Sequence, residues 1–330
     1  MRWLLVRPAA SGTGGLEDLR RELEAHGQTV RAVVYRRRNP LYKNKGVKAL
    51  YIRWILRGLA RIARAERPEV ILVYKGETLG PDLLERFKAE TGAVLLNLFP
   101  DNPLLTIPFE CLEPYDLILS KERYGIRALE LAGLRTLYYL PHYCDPALHH
   151  QVELTPAERE RYGAEVSFVG HHYPYRERFF RELADLPLAL WGRGWERAAS
   201  PAVRQLARRA TVSDRALLCV FSGSRINLNL HHPLNDIVGV NDRTFFLAGS
   251  RAFQLVDWKA DLGEFFKEGE EIVTYRSPAE CRNLIGYYRA HPDEAAAIAL
   301  NAQRRAYRDH TCQRRVEELL DVVASRFGKG

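Results

Sequence analysis

Short apolar runs rich in Val, Leu, Ile and aromatic residues alternate with longer helical patterns along most of this chain. In the first half the runs are Trp3–Val6, Thr29–Tyr35, Val70–Tyr74, Ala93–Leu98, Leu117–Ser120 and Arg135–Leu140. Helical spacing fills most of the gaps, at Leu16–His26, Val47–Arg67, Pro81–Thr91 and Arg123–Ala132. Strands that read as continuous apolar runs are buried on both faces, and strands separated by helices pair in parallel. The pattern therefore predicts an α/β fold, a parallel sheet covered by helices. The stretch 141–164 lacks a strand pattern and carries Thr155-Pro156-Ala157-Glu158, a capping box. A second alternating series follows, with strands at Glu165–Val169, Leu188–Trp191, Ile226–Leu230, Ala252–Val256 and Glu271–Thr274. A second capping box, Ser277-Pro278-Ala279-Glu280, opens a helix at Cys281. The last helix, about 312–327, spaces Val316, Leu319, Leu320 and Val323 on one side. A length of 330 residues with 46% hydrophobic content suits two domains of ordinary size. The expected division is 1–145, a crossover at 146–164, a second domain at 165–310, and a closing helix at 311–330 that crosses back to the first domain.

Composition narrows the classes. No apolar run is long enough to span a bilayer. The N-terminal MRWLLVRPAASG has too short an apolar stretch for a secretory signal and reads as the first strand. Five scattered cysteines, odd in number and without a C-x-x-C, argue against a disulfide framework or zinc knuckle, which makes a cytoplasmic location the default expectation. The net charge of +8 and pI of about 9.2 could attract nucleic acid, anionic lipid or phosphorylated substrates. Arg occurs throughout the chain, which favours a solvated basic surface instead. A basic nucleic-acid-binding protein fits the charge, but no helix-turn-helix, zinc-finger or RNP-like pattern accompanies it.

Several local features bear on chemistry. Gly12-Thr13-Gly14-Gly15 lies between the first strand and the first helix, where a glycine turn lets a ligand approach a helix N-terminus. It is not the dinucleotide fingerprint G-x-G-x-x-G. Histidines pair at His149-His150, His171-His172 and His231-His232. Adjacent side chains point apart along an extended chain, so no metal site is expected. The 47–67 helix places Val47, Leu50, Tyr51, Trp54, Ile55, Leu59 and Ile62 on one broad face, flanked by Lys48, Arg53, Arg57, Arg61 and Arg64. Such a helix is either a core helix with snorkelling Arg stems or a peripheral membrane contact.

The most informative stretch is 239–275. It supplies Asn241, Arg243, Phe245, Ala252-Phe253-Gln254-Leu255, Asp257, Gly269, Glu271-Ile272 and, just beyond, Tyr287-Tyr288. Val166-Ser167-Phe168-Val169-Gly170 with Tyr173 and Arg176, then Leu190-Trp191-Gly192-Arg193-Gly194-Trp195, and His310-Thr311 with Arg314 extend the pattern. Val73-Tyr74-Lys75-Gly76 and Phe99-Pro100-Asp101-Asn102-Pro103 extend it into the first half. Together these motifs resemble the CgeB-like, spore-maturation-type glycosyltransferases, over about residues 70–320. Two positions depart: Phe246 stands where the family has Glu, which commonly holds the donor ribose, and Arg251 where it has Gly.

The resemblance implies the GT-B type of fold, two facing Rossmann-like domains with a cleft between them. It implies a glycosyltransferase, hexosyltransferase-like, moving a sugar from a nucleotide-sugar to an unknown acceptor (glycan, protein or lipid-linked), with no cofactor. Residues 165–310 would hold the donor, and 1–145 would be the acceptor side. A D-x-D-like motif is absent, so Arg and helix N-termini must neutralise the leaving pyrophosphate without metal. Arg243 and Arg176 are the candidates. His171 or Asp101 would serve as base. Gly170, Gly192, Gly194 and Trp195 would line the nucleotide slot. With Phe246 in the Glu position, Asn241, Asp257 or Glu271 must take the ribose hydroxyls. Gly14, Gly15, Lys75, Gly76 and Asn102 would face the acceptor. The departures also fit a non-catalytic sugar- or nucleotide-binding protein of the same fold.

Overall fold

The computed structural model describes residues 1–8, 16–36, 45–208 and 212–328. Packing divides the chain into two compact units: unit 1 is Met1–Pro141, Pro233–Val238 and Cys312–Gly330, and unit 2 is His142–His232 and Gly239–Thr311.

Unit 1 begins with β1 (Arg2–Pro8), α1 (Glu17–Ala25), β2 (Thr29–Arg36), α2 (Lys45–Glu66) and β3 (Val70–Tyr74). It continues with α3 (Pro81–Thr91), β4 (Val94–Phe99), β5 (Leu117–Ser120), α4 (Arg123–Leu131) and β6 (Leu137–Tyr139). All six strands are parallel, in the order β2-β1-β3-β4-β5-β6. The apolar runs are strands because both faces are covered. Leu4, Val6, Ile71, Val73 and Leu95 share a core with Ile55, Leu59 and Ala63 of α2 and Leu84 and Phe87 of α3. Each Val, Leu, Ile or Phe among them contributes roughly 1.5–3 kcal/mol on burial. Pro81 starts α3 at a position whose N–H has no helical partner, and Gly92 ends it in the left-handed region at φ 64°.

Unit 2 runs α5 (Pro156–Tyr162), β7 (Ala164–Val169), α6 (Pro174–Arg181), β8 (Leu188–Trp191), α7 (Pro201–Gln205), β9 (Ala207–Arg208) and α8 (Asp214–Gly223). Then come β10 (Ser224–Asn229), α9 (Asp242–Gly249), β11 (Gln254–Asp257), α10 (Leu262–Phe265), β12 (Val273–Tyr275), α11 (Pro278–Ala290) and α12 (Pro292–Asp309). Its parallel sheet has the order β12-β11-β10-β7-β8-β9. Phe168, Leu190, Leu228 and Leu255 pack with Phe180, Trp195 and Ile285.

Three differences from the sequence expectation have physical causes. The segment 146–164 packs as part of unit 2 rather than as a bare crossover. The Thr155 capping box forms, with Glu158 N donating to Thr155 Oγ1 at 3.2 Å and Thr155 N to Glu158 Oε2 at 3.0 Å. Arg215 of α8 then holds Glu158 at 2.8 Å. The last strand lies two residues later than expected, because the backbone N–H groups of Glu270, Glu271 and Ile272 turn back onto Lys267 O and Gly269 takes φ 80°. Finally, Pro233–Val238, between β10 and α9, belongs to unit 1. Asn235 Oδ1 accepts from Asn102 N at 2.7 Å. Glu122, fully buried, accepts from Ile237 N at 3.0 Å and Val238 N at 3.2 Å. Lys121 and Asp236 form an ion pair with both side chains buried.

The closing helix α13 (Cys312–Phe327) also belongs to unit 1. It packs on α1, accepts from Tyr138 Oη through Glu318 Oε1 at 2.9 Å, and donates from Arg315 Nε to Pro141 O at 3.2 Å.

In each sheet the strand order reverses once, between β1 and β3 in unit 1 and between β7 and β10 in unit 2. Loops diverge at such a point, and ligands of open α/β sheets bind beyond the strand C-termini there.

Candidate functional site

Beyond the reversal in unit 2, two arginines converge. Arg176 is the third residue of α6, and its side chain is buried. It donates from Nη1 to His171 O at 2.9 Å, just past β7, and from Nη2 to Leu230 O at 3.2 Å, just past β10. Arg243 is the second residue of α9 and donates from Nη1 to Asn229 Oδ1 at 3.2 Å. Both guanidinium groups lie over the Phe168 ring, at 5.1 and 5.3 Å from its centroid. His171 belongs to the same field: burial lowers its pKa first, and Arg193, Arg176 and Arg243 lower it further. Four basic side chains from β7, β8, α6 and α9 thus surround one strand-end region. Gathering like charges is costly unless the site takes an anion.

The start of α9 is fixed by a polar ladder. Asn241 caps it, with Oδ1 accepting from Thr244 N at 3.0 Å, and its Nδ2 donates to Asn229 Oδ1 at 2.9 Å. Asn229 Nδ2 donates to Thr244 Oγ1 at 3.0 Å, and Tyr275 Oη donates to Asn229 O at 2.9 Å. Asn241 and Arg243 thus share Asn229 Oδ1 as acceptor.

The glycine turn after β8 has a structural reason. Gly170 N donates to Trp191 O at 2.8 Å, and His172 N to Arg193 O at 2.9 Å, so the loops after β7 and β8 run side by side. A Cβ on Gly192, at φ 131°, would lie 2.2 Å from Gly170 O. Gly194 adopts φ 94° against His172. Trp195 is buried among Phe168 and Phe180 and donates from Nε1 to Gly170 O at 2.7 Å. Trp195 is thus a core residue that tethers the Gly170 loop.

The two carboxylates expected to take ribose hydroxyls go different ways. Asp257, at the end of β11, accepts from His231 N at 2.8 Å and pairs with His231 Nδ1 at 2.6 Å. His231, unforeseen from sequence as anything but half of a histidine pair, is thereby placed beside Leu230 and Arg176. Glu271 lies elsewhere: it precedes β12, at the N-terminal end of the parallel strands, and closes a turn by accepting from Lys267 N at 2.8 Å. Phe246 is accounted for by His149, whose imidazole stacks on it at 3.9 Å with 9° between planes. His149 Nδ1 accepts from Asp145 N at 2.9 Å, and burial pushes its pKa down to about 4. A neutral aromatic stack thus occupies the position expected for a carboxylate.

In unit 1 the strand ends bring Lys75, Asp101 and Asn102 together. Lys75 Nζ lies 2.6 Å from Asp101 Oδ2, and Asn235 Nδ2 donates to Asp101 Oδ1 at 3.3 Å. Lys75 adopts φ 64° and Gly76 φ 87°. A non-glycine residue in that region is strained. Gly76 N donates to Tyr35 Oη at 3.1 Å. Gly14 and Gly15 lie outside the described residues. The paired histidines scatter: His149 stacks on Phe246, His172 pairs with Glu177 at 2.7 Å and His231 with Asp257. Among the described residues no group of three or more His, Cys, Asp or Glu side chains is placed to hold a metal.

Known proteins share the fold of this chain. Residues 176–321 match the family described as glycosyl transferase-like. No curated protein sequence matches the chain significantly. Among solved structures, Anabaena HepE in complex with UDP-glucose superimposes with a TM-score of 0.67 at 14% identity, covering 98% of this chain and 100% of that one. Sucrose-phosphate synthase from Thermosynechococcus elongatus gives 0.71 at 12% identity, over 99% and 100% of the two chains. The lipopolysaccharide outer core galactosyltransferase WaaB gives 0.64 at 11% identity, over 99% and 100%. The fold is of the GT-B type. Both units of the GT-B chain are Rossmann-like, and its basic strand-end cluster lies within unit 2.

Proposed function

We propose that this protein is a glycosyltransferase of the CgeB-like kind, transferring a sugar from a nucleoside-diphosphate donor held by unit 2. The observation that carries the reading is the pair of guanidinium groups, Arg176 and Arg243, over Phe168 beyond β7 and β10. Glycosyl transfer leaves a nucleoside diphosphate, and the barrier falls when fixed cations face the charge that develops on it. Arg176 is oriented by two backbone carbonyls and Arg243 by Asn229, so both stand ready before the bond breaks. No metal is required in this mechanism, so turnover is expected to persist in chelator. HepE, crystallised with UDP-glucose, supports the donor class. On the acceptor side the proposal assigns Lys75, Gly76, Asp101 and Asn102 of unit 1. His171 serves as base: its lowered pKa keeps it neutral, and able to accept a proton, at neutral pH.

The test is a calorimetric and thermal-shift panel of nucleoside diphosphates and their sugars, with Arg243→Ala alongside. Loss of one charge-assisted hydrogen bond of about 1.5–3 kcal/mol corresponds to about tenfold to hundredfold weaker binding. Wild-type binding without that loss removes Arg243 from the site. No binding of any nucleotide by the wild type defeats the proposal. Binding without hydrolysis or transfer across an acceptor screen would favour the non-catalytic reading.

A further inference from the structure

The basic excess of this chain has a location. From Ala25 through Ala65 the sequence carries eleven Lys and Arg and no Asp or Glu, against +8 for the whole chain, so the remainder is net acidic by three. Within the stretch, α2 separates apolar residues that the sequence grouped on one face. Ile55, Leu59, Ala60 and Ala63 are buried in the core of unit 1, with Ile62 packed against it. Leu50 and Trp54 point the other way and are 68% and 70% exposed. Residues 50, 54, 57 and 61 fall at successive steps of four, three and four, one stripe of a helix. Arg57 and Arg61, which continue the stripe, are exposed as well.

A helix that holds Trp and Leu out to water beside exposed Arg, in a segment without acids, matches the two layers of an anionic membrane surface. Arginine meets lipid phosphates, while Trp and Leu enter the boundary between headgroup and acyl chain. A nucleic acid would satisfy the arginines but gives Leu50 no partner. We propose that α2 docks unit 1 on an anionic lipid bilayer, independently of what the other unit binds. The occupant is a bilayer surface and not a span: no described helix is long and apolar enough to cross one.

The experiment is co-sedimentation of the full chain with phosphatidylcholine vesicles and with equimolar phosphatidylcholine–phosphatidylglycerol vesicles, at low salt and at about 0.5 M salt, where screening is nearly complete. Expected is binding to the anionic vesicles only, lost at high salt, and weakened about tenfold or more by Leu50→Ser with Trp54→Ser. Both positions are exposed, so the melting temperature should not move. Quenching by brominated lipid supplies an independent readout. Trp3, Trp191 and Trp195 are buried, leaving Trp54 and the 44% exposed Trp258 as the accessible fluorophores. Quenching should vanish in Trp54→Phe and survive in Trp258→Phe. The proposal is overturned by absence of binding to anionic vesicles at low salt, by equal binding of the double variant, or by single-stranded RNA displacing the protein from vesicles at lower concentration.

Discussion

His149 offers a quantitative check on the interior of unit 2. Its imidazole is 2% exposed, stacked on Phe246, with Nδ1 accepting from Asp145 N. Burial, the largest influence, lowers its pKa from 6.5 to about 4, against the opposing pull of Asp145 and Asp242. In the unfolded chain the ring takes up a proton near pH 6.5; in the folded one it stays neutral until near pH 4. The unfolded state therefore binds more protons in that window, and stability rises with pH across it. The contribution is fully present above about pH 6.5 and is lost as pH falls toward 4. Proton linkage puts the loss at about 2 kcal/mol between pH 7 and 5, and about 3 kcal/mol by pH 4. Urea unfolding of the wild type and His149→Phe at several pH values between 4.5 and 7.5 isolates this contribution, since every other titration is common to both. Phe lacks the hydrogen bond to Asp145 N, so the variant is expected to be less stable at pH 7.5 and to close the gap by about 2 kcal/mol at pH 5. A gap between the two proteins that stays constant with pH would show that His149 does not titrate differently on folding, and the burial argument would be wrong.

Two further predictions concern the framework of the site and of unit 1. Gly192→Ala, at φ 131° with a Cβ 2.2 Å from Gly170 O, must push the loops after β7 and β8 apart; nucleotide affinity should fall at least about tenfold by calorimetry, a shift of about 1.4 kcal/mol, with a lower melting temperature. Unchanged affinity and melting would mean that the close approach of the loops is not needed. Lys121→Met leaves Asp236 buried without its ion-pair partner and should cost about 3–5 kcal/mol in chemical denaturation, whereas the double change Lys121→Met with Asp236→Leu should recover much of that loss. Equal destabilisation by the single and double variants would refute the pair as the source.

The strands were legible because a parallel sheet covered on both faces writes each strand as a continuous apolar run; Leu4, Leu5, Ile71 and Leu72 are all fully buried. Caps were legible because their signal is local, as at Thr155 and Ser277. What escaped depends on contacts between distant positions. Pro233–Val238 looks like an ordinary loop in sequence, and its attachment to Asn102, Lys121 and Glu122 rests on polar contacts more than a hundred residues apart. β9 spans two residues, too few for a period to show. Glu271 opens its strand in either register, at the end opposite the strand C-termini, and the turn it closes onto Lys267 is set by backbone bonds that no apolar period shows. Asp257 was placed at the right strand end, but nothing in its neighbourhood along the chain announces His231 as its partner.

The exchange of a carboxylate for Phe246 then bears on how unit 2 treats a nucleotide. A carboxylate at position 246 would sit one turn from Arg243 and draw on its charge. Phe246 cannot, and its ring is matched by a neutral His149 instead of a cation. Asp257, at the end of β11, is engaged by His231. No acid at position 246 therefore competes for the charge of the Arg176–Arg243 pair. On the proposed reading, this arrangement places the weight of donor recognition on the diphosphate and leaves the ribose hydroxyls a small share. Ribo- and 2′-deoxyribonucleoside diphosphates of the same base should then bind within a few-fold of each other, while removal of the terminal phosphate should cost far more. A strong preference for the ribonucleotide would show that some group other than the one at position 246 reads the ribose, and Asp257 with its partner His231 would be the first place to look.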